Sequence, residues 1–144
     1  MKYTRSDAKA YAQANMKGIW AAALMPFTED LRIDEDGFRE NVRHWTQDLG
    51  IEGLFVTGKQ GEFFSMTVEE RKHSFDLAVE ATGDHGQTIM SCSDQNMEVV
   101  LDLARHAQEN GADYIVVGRP IWQAADPRAA ALAITAEMAS SQKS

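Results

Sequence analysis

The sequence is poor in cysteine, in proline and in positive charge. Its 144 residues include one cysteine, Cys92, three prolines, and 14 Lys plus Arg against 22 Asp plus Glu, a formal net charge of −8. One thiol cannot form an internal disulfide, and no set of four Cys and His residues stands at zinc-ligand spacing. We therefore expect a cytoplasmic protein without a structural metal, and the acidic balance excludes the basic surface typical of nucleic-acid binding.

Long hydrophobic runs are missing as well. No stretch reaches the roughly 18 apolar residues of a membrane span, and residues 1–17 are too polar for a signal peptide. Neither membrane insertion nor secretion is expected. The remaining composition, 44% hydrophobic and 25% charged, is typical of a globular domain. We predict an N-terminal extension over 1–17 and a single domain over 18–144.

Apolar strand patterns and amphipathic helix patterns alternate along this domain. Strands are predicted over 18–25, 53–57, 88–92 and 112–117, and helices over 34–49, 67–81, 96–110 and 126–140. The continuous apolar run of the first strand indicates burial on both faces. In the first helix, Phe38, Val42, Trp45 and Leu49 form one apolar stripe.

Several helix ends carry local signals of their own. Thr67 and Glu70 have the spacing of a capping box at the start of the second helix. Asp126 followed by Pro127 is typical of a helix start, because Asp accepts an unpaired amide and Pro has none to lose. Gly50 and Gly111 are expected to end the first and third helices.

Four strand–helix units predict an α/β fold with a parallel sheet and right-handed crossovers. A complete (β/α)8 barrel usually needs about 250 residues, so four units amount to half a TIM barrel, or to a small open sheet. A half barrel leaves two strand edges and one sheet face uncovered. The sequence therefore predicts a homo-oligomer or a complementing half barrel.

Residues 18 to about 117 resemble the first half of a known family. The resemblance is carried by Ala-Leu-Met-Pro-Phe at 23–27, by Thr-Gly-Lys-Gln-Gly-Glu at 57–62 with Glu69 and Glu70 downstream, and by Gly-Ala-Asp at 111–113. These segments are similar to the dihydrodipicolinate synthase and N-acetylneuraminate lyase family of class I aldolases. The resemblance implies a carbon–carbon lyase that acts on pyruvate or another small 2-oxo acid through a lysine imine, without a metal or an organic cofactor.

The same resemblance implies substrate-binding residues after the second strand. Members of the family usually read Gly-Thr-Thr-Gly-Glu in this loop, where hydroxyls and amides hold the carboxylate of pyruvate. Gly58, Lys59, Gln60 and Gly61 are the matching positions, with Lys59 and Gln60 in place of the two hydroxyl residues. Carboxylate binding here is thus expected through backbone amides, and Glu62 is expected to fix the loop by accepting backbone hydrogen bonds rather than to act as a general base.

The catalytic residues of the family have no clear counterpart. The imine lysine is expected on a sixth strand, beyond the four found here, and the matching tyrosine just after the fourth strand is absent. Lys59 is the one lysine at the carboxyl end of a predicted strand, and we interpret it as a carboxylate binder or an exposed loop lysine rather than as the nucleophile. The chain is expected to end before the imine lysine and to have little or no aldolase activity alone.

A second resemblance covers the last 33 or so residues. The segment 111–121, followed by Gln-Ala-Ala-Asp-Pro at 123–127, is similar to the final strand and helix of orotidine 5′-monophosphate decarboxylase, which implies that Gly118 and Arg119 bind the phosphate of a small molecule. Arginine suits this role because its planar fork matches a phosphate. The two resemblances together predict a recombined or designed chimera with a junction near 111–117.

Other interpretations of this segment stay open. Pro120 and Trp122 are also compatible with a Pro-x-Trp feature of pyruvate hydratase-aldolases, and Arg119 is equally suited to a salt bridge with a neighbouring carboxylate. The alternative function is therefore a non-catalytic phosphate-binding scaffold, and a third is a truncated product with no function of its own.

The remaining candidates are interpreted as structural. The four histidines share no predicted face and are interpreted as solvent-side residues or as structural histidines with satisfied hydrogen bonds: His44, His73, His85 and His106. Cys92 is predicted to be a buried structural thiol. Four aromatic residues are assigned to the core: Trp20, Trp45, Phe63 and Phe64.

Overall fold

The computed structural model describes residues 3, 4 and 6–140, with side chains except at 119, 120 and 137–140. Its four strands are β1 Trp20–Ala22, β2 Gly53–Val56, β3 Gln87–Ser91 and β4 Tyr114–Val116. Its α-helices are α1 Ala8–Asn15, α2 Glu35–Arg43, α3 Val68–Thr82, α4 Met97–Glu109, α5 Arg119–Trp122 and α6 Pro127–Ser140. None of the helices in these residues is long and apolar enough to cross a membrane.

The strands form one parallel sheet whose spatial order is the order of the chain, β1-β2-β3-β4. Leu54, Val56 and Met90 are fully buried and share a core with residues of the helices. The helices contact one another in sequence, α2 with α3, α3 with α4, and α4 with α6, and α3 packs on β2 and β3. The predicted α/β architecture of about four strand–helix units is confirmed.

The alternate residues of the strands form the second face of the sheet, which we call the interior face. Phe55 of β2 lies beside Ile89 of β3, and Ile89 lies beside Tyr114 of β4. All three side chains are only half-buried. In the described chain, α1 reaches this face, whereas the longer helices α2, α3, α4 and α6 pack together on the other side of the sheet. This is the arrangement expected of a half barrel.

The prediction that the first strand is buried on both faces is wrong. Only three residues of the apolar run form β1, all of them half-buried, and Ile19 and Leu24 on either side are 65% and 58% exposed. The reason is position, since β1 is the outermost strand of the described sheet. An edge strand has a neighbour on one side only, whatever its composition.

The first predicted helix also departs from its apolar stripe. It begins as α2 and continues from His44 as a five-residue π-helical turn, in which the Leu49 N–H donates to the His44 carbonyl at 3.0 Å. Phe38 and Val42 are fully buried as predicted, whereas Leu49 is 58% exposed. A π turn contains more residues than an α turn, so the residue at its end rotates away from the stripe.

The predicted helix ends are confirmed in detail. The Thr67 hydroxyl accepts from the Glu70 N–H at 3.2 Å, and the Glu70 carboxylate accepts from the Thr67 N–H at 2.7 Å, a complete capping box. The Asp126 carboxylate accepts from the Ala129 N–H at 2.9 Å at the start of α6. Gly111 ends α4 with a φ of +89°.

The N-terminal extension holds a helix that the sequence did not predict. From α1, Tyr11 lies 6.1 Å from Tyr114, and Tyr3 stacks on Tyr11 at 4.4 Å between ring centroids. Trp20 meets Tyr114 edge-on at 5.9 Å, and the Tyr3 hydroxyl donates to the Asp113 carbonyl at 2.8 Å. This aromatic cluster covers the amino end of the interior face, so Trp20 packs there and not against the helices.

Candidate functional site

The loop after β2 is a tight turn with a positive φ at each end. Thr57, at +53°, is fully buried, and its hydroxyl donates to the Ser91 carbonyl at 3.3 Å. Glu62, at +55°, closes a 3-10 turn over Lys59–Gly61. Residues other than glycine rarely adopt this conformation, and such strained positions cluster at functional sites.

Two glycines let this turn pack closely against the sheet. A Cβ at Gly58 would lie 2.5 Å from a ring carbon of Phe55, and a Cβ at Gly61 would lie 3.0 Å from the Ala23 carbonyl oxygen. Neither distance accommodates a side chain without movement of its neighbours. Both glycines are buried, so the spacing seen in the sequence has a physical requirement behind it.

The two residues between the glycines are exposed at the carboxyl edge of the sheet. The Gly61 N–H donates to the Gly58 carbonyl at 3.1 Å. The N–H groups of Lys59 and Gln60 precede this first hydrogen bond of the turn and have no acceptor among the described residues, so a ligand can accept from them. The ammonium of Lys59 reaches solvent. It lacks the burial by which proteins activate an imine-forming amine.

Glu62 holds the loop through hydrogen bonds of its main chain. The prediction that its carboxylate accepts these hydrogen bonds is wrong. Its carbonyl accepts from the Ser65 N–H at 2.8 Å, and its own N–H donates to the Lys59 carbonyl at 3.1 Å. The side chain is exposed, and no hydrogen bond within the described residues reaches its carboxylate. The positive φ of Glu62 allows two consecutive 3-10 turns, over Lys59–Gly61 and Phe63–Ser65, and its side chain is left in solvent.

The loop after β3 is held by a buried arginine that the sequence analysis missed. The Arg71 guanidinium donates to the Asp94 carboxylate at 3.1 Å and to the Ser91 and Ser93 carbonyls at 3.2 and 3.0 Å. Its side chain is only 3% exposed, and burial lowers its pKa while Asp94 opposes that change. The guanidinium also lies 5.0 Å from the ring centroid of Phe63.

The loop after β4 reaches the same edge of the sheet. The Gly118 N–H donates to the Ser93 hydroxyl at 3.0 Å, so this N–H already has an acceptor within the chain. Arg119 begins the short helix α5, which the sequence did not predict, and its side chain lies outside the described residues. Trp122 at the end of α5 is 63% exposed.

Three of the four histidines belong to helical elements and pair with carboxylates of other helical residues. In the described chain three of them face a carboxylate oxygen, His44 with Asp48 at 2.8 Å, His73 with Glu35 at 2.8 Å and His106 with Asp76 at 2.7 Å. His85 is exposed in a short turn after α3. The described residues contain no group of three or more metal-binding side chains.

The prediction of burial is confirmed for Cys92 and is wrong for Phe64. Cys92 is fully buried, as predicted, and burial raises the pKa of its thiol to about 12. Trp45 and Phe63 are half-buried. Phe64 is 65% exposed, so its assignment to the core is wrong. It lies in a 3-10 turn edge-on to Phe63 at 5.8 Å, where no strand or helix directs it inward.

Comparisons with known proteins agree with the fold of this chain. The sequence model of the dihydrodipicolinate synthetase family matches residues 15–128. An N-acetylneuraminate lyase from Histophilus somni is 35% identical over 108 residues, which are 75% of this chain and 37% of the relative. The chain thus spans well under half the length of that curated relative.

Solved structures give the same result. The N-acetylneuraminate lyase from Fusobacterium nucleatum has a TM-score of 0.78 at 28% identity, over 86% of this chain and 44% of that one. CdNal from Clostridium difficile, solved in complex with mannosamine, has a TM-score of 0.77 at 27% identity, over 85% and 43%. These neighbours are TIM barrels, and the four strand–helix units correspond to about half of one.

The family match also bears on the last segment. It extends past the junction predicted near 111–117 and through Pro120 and Trp122. The comparisons provide no support for a decarboxylase-like ending. The chimera therefore stays a prediction, while the aldolase resemblance is confirmed at the level of the family.

Proposed function

The chain belongs to the dihydrodipicolinate synthetase family, and from that premise we propose that its carboxyl edge binds the carboxylate of a small 2-oxo acid such as pyruvate. One observation carries the proposal: the glycine-bounded turn after β2, inside the matched residues, leaves the N–H groups of Lys59 and Gln60 available. The carboxyl ends of parallel strands are where barrels of this kind bind their ligands. We propose carbon–carbon lyase chemistry for the whole enzyme, with no metal or organic cofactor.

In this proposal the turn holds the carboxylate and does not form the imine. The two N–H groups donate to the carboxylate oxygens, and the Lys59 ammonium adds a charge-assisted contact. Holding the carboxylate fixes the ketone for attack by an amine elsewhere. The family resemblance expects that amine on a sixth strand, so we propose little or no aldolase turnover by this chain alone.

A pyruvate titration of the chain tests the binding step. We expect weak binding by wild type, and an affinity lower by about tenfold in Lys59→Met, the size of one charge-assisted hydrogen bond. Lys17→Met is the matched control, because it removes an exposed ammonium that lies before β1 at the opposite end of the strands. Equal affinities of the two variants, or no binding by wild type, would remove the proposal.

Borohydride reduction in the presence of pyruvate tests the role of Lys59. Borohydride converts an imine into a stable secondary amine, so a nucleophilic lysine gains the mass of a reduced pyruvyl group. We expect no adduct on folded protein, measured by intact mass. An adduct mapped to Lys59 would make it the nucleophile and would contradict its role as a carboxylate binder.

A second candidate function is a non-catalytic scaffold that binds phosphate through Gly118 and Arg119. It is favoured by the position of Gly118 at the same edge as the turn after β2. Because the Gly118 N–H already donates to Ser93, Arg119 would supply most of the binding energy. Calorimetric titration with inorganic phosphate should then give heat with wild type and none with Arg119→Ala, and equal heats would remove this function.

We also propose that the interior face is covered by a second copy of the chain or by a complementing half barrel. The half-buried Phe55, Ile89 and Tyr114 support this proposal, since an apolar sheet face left open to water favours association. Its test is the oligomeric state of the chain in solution.

A further inference from the structure

We infer that Arg71 is a positioning residue that holds the three loops at the carboxyl edge in register with one another. The inference deepens the proposed function, because the loop after β2 is the proposed carboxylate site. Arg71 itself is buried and lies behind the edge, so it would act through the loops and not by contact with a ligand.

The contacts of Arg71 reach two loops directly. The Ser93 carbonyl and the Asp94 carboxylate of the loop after β3, and the Ser91 carbonyl at the end of that strand, accept hydrogen bonds from its guanidinium at 3.0 to 3.2 Å. On another side, Phe63 of the loop after β2 lies within cation–π distance at 5.0 Å. Arg71 belongs to α3, so a rigid helix fixes the position of both loops.

Ser93 carries the same connection to the third loop. Its carbonyl accepts from Arg71 at 3.0 Å, and its hydroxyl accepts from the Gly118 N–H at 3.0 Å. A Cβ on Gly118 would lie 3.2 Å from that hydroxyl oxygen, so the approach of the two loops is close. Movement of Ser93 would therefore release Gly118 as well.

A purely stabilising role does not explain this choice of residue. Burial of a guanidinium carries a desolvation penalty, and replacement of a buried ion pair by apolar residues often leaves stability unchanged or raises it. Asp94 and the two carbonyls compensate Arg71, and Nε remains without a partner in the described chain. What an apolar side chain cannot supply is a planar fork that directs hydrogen bonds to several acceptors at once.

Amide hydrogen exchange tests the inference without any assay of catalysis. In Arg71→Met we expect the Gly118 N–H to exchange at least tenfold faster than in wild type. The Ala129 N–H, which Asp126 holds at the start of α6, should keep its wild-type rate. In Arg71→Lys the exchange rate of the Gly118 N–H should lie between those of wild type and Arg71→Met. An ammonium can pair with Asp94 but cannot reach both carbonyls in the same geometry.

Two patterns of exchange rates would overturn the positioning role of Arg71. If the Gly118 and Ala129 N–H groups both exchange faster by the same factor in Arg71→Met, Arg71 only stabilises the whole fold. If both exchange rates are unchanged, Arg71 does not position the loops at this edge. If Arg71→Met does not fold, Asp94→Asn removes the charge of the partner and keeps an oxygen acceptor. It should accelerate Gly118 exchange to a smaller extent, and an unchanged rate would overturn the inference.

The same variants separate this inference from the proposed function. If wild type binds pyruvate, we expect weaker binding by Arg71→Met and partial recovery in Arg71→Lys, and equal binding by all three would overturn the positioning role. If wild type does not bind pyruvate, the proposed function fails, and the exchange rates alone decide whether Arg71 couples the loops.

Discussion

The two faces of the sheet are built from alternate residues of the same strands, yet they are buried to different degrees. On the helix-covered face, Leu54, Val56 and Met90 are fully buried. On the interior face, Phe55 and Ile89 are half-buried although they are just as apolar. The difference lies in what covers each face, since the helices α2, α3 and α4 all pack on one side.

This contrast shows what an apolar pattern in a sequence can and cannot establish. A residue in a strand has the same chemistry on either face, and the pattern records which surfaces benefit from burial. It does not record whether a covering element belongs to the same chain. The amino end of the interior face is covered by the aromatic cluster around Tyr114, and the rest of that face is left partly open.

The largest expected effect is on stability and is specific to one face. Leu54→Ala should lower the free energy of unfolding by about 2–5 kcal/mol, because it opens a cavity under the helices. Ile89→Ala should lower it by about 1 kcal/mol, because much of that side chain already contacts water. Urea denaturation of both variants measures the difference, and equal losses would show that the interior face is covered in solution.

The next prediction concerns assembly through the interior face. After gel filtration, we expect light scattering to give the wild-type chain a molar mass above that of the monomer, 16.0 kDa. Ile89→Lys should shift it to the monomer, because a charge in the middle of an apolar interface must be desolvated without a partner. Far-ultraviolet circular dichroism controls for folding. A wild type that is monomeric with a two-state melt contradicts the prediction.

A smaller effect should distinguish the faces by their response to alkali. Cys92 follows β3 in the helix-covered core, and burial raises the pKa of its thiol from 9.0 to about 12. The stability that this shift provides is complete below pH 9 and is lost as the pH rises through 12, because only the unfolded chain ionises readily in that window. At pH 10 the loss should be about 1 kcal/mol.

Comparison with Cys92→Ala isolates this contribution. The variant loses a sulfur and is less stable overall, so the readout is the slope of stability between pH 8 and 10. We expect a flatter slope than in wild type, with the lysines and tyrosines contributing equally to both. Identical slopes would mean that the thiol reaches water, and that the helix-covered face opens more easily than its burial indicates.

The smallest expected effect on stability comes from a helix end and changes neither face of the sheet. Thr67→Ala removes one half of the capping box of α3 and should lower stability by about 1 kcal/mol. The Glu70 carboxylate has a lowered pKa because it accepts from the backbone N–H and the hydroxyl of Thr67. Its contribution is therefore present above the ordinary pKa of 4.5 and is lost as the pH falls below it. Thermal melts at pH 7 and pH 4 measure both effects.

Much of the fold is predictable because its signals are local. The capping box at Thr67, the glycine that ends α4 and the Asp-Pro pair at the start of α6 each require only neighbours in sequence. The π-helical turn at His44 carries no such signal, since the residues that form it are equally compatible with an α-helix. Exposure of Leu49 follows from that turn and could not be foreseen from periodicity.

The candidate site was predictable only in outline. The glycines at 58 and 61 indicate a tight turn wherever they occur, and the resemblance to a family gave that turn a role. The burial of Arg71 was not predictable, because its partners Ser93 and Asp94 belong to a loop 20 or so residues away. A long side chain on a polar stretch of helix is indistinguishable in sequence from one that extends into solvent.

The spatial order of the strands has a consequence for synthesis of the protein. Each strand after β1 pairs with the strand that precedes it in the chain, so β2, β3 and β4 each find a partner that has already left the ribosome. Each strand–helix unit can dock on the unit before it, because the crossover between consecutive strands contains the helix that packs on them. At every stage the newest strand offers a free edge to the next.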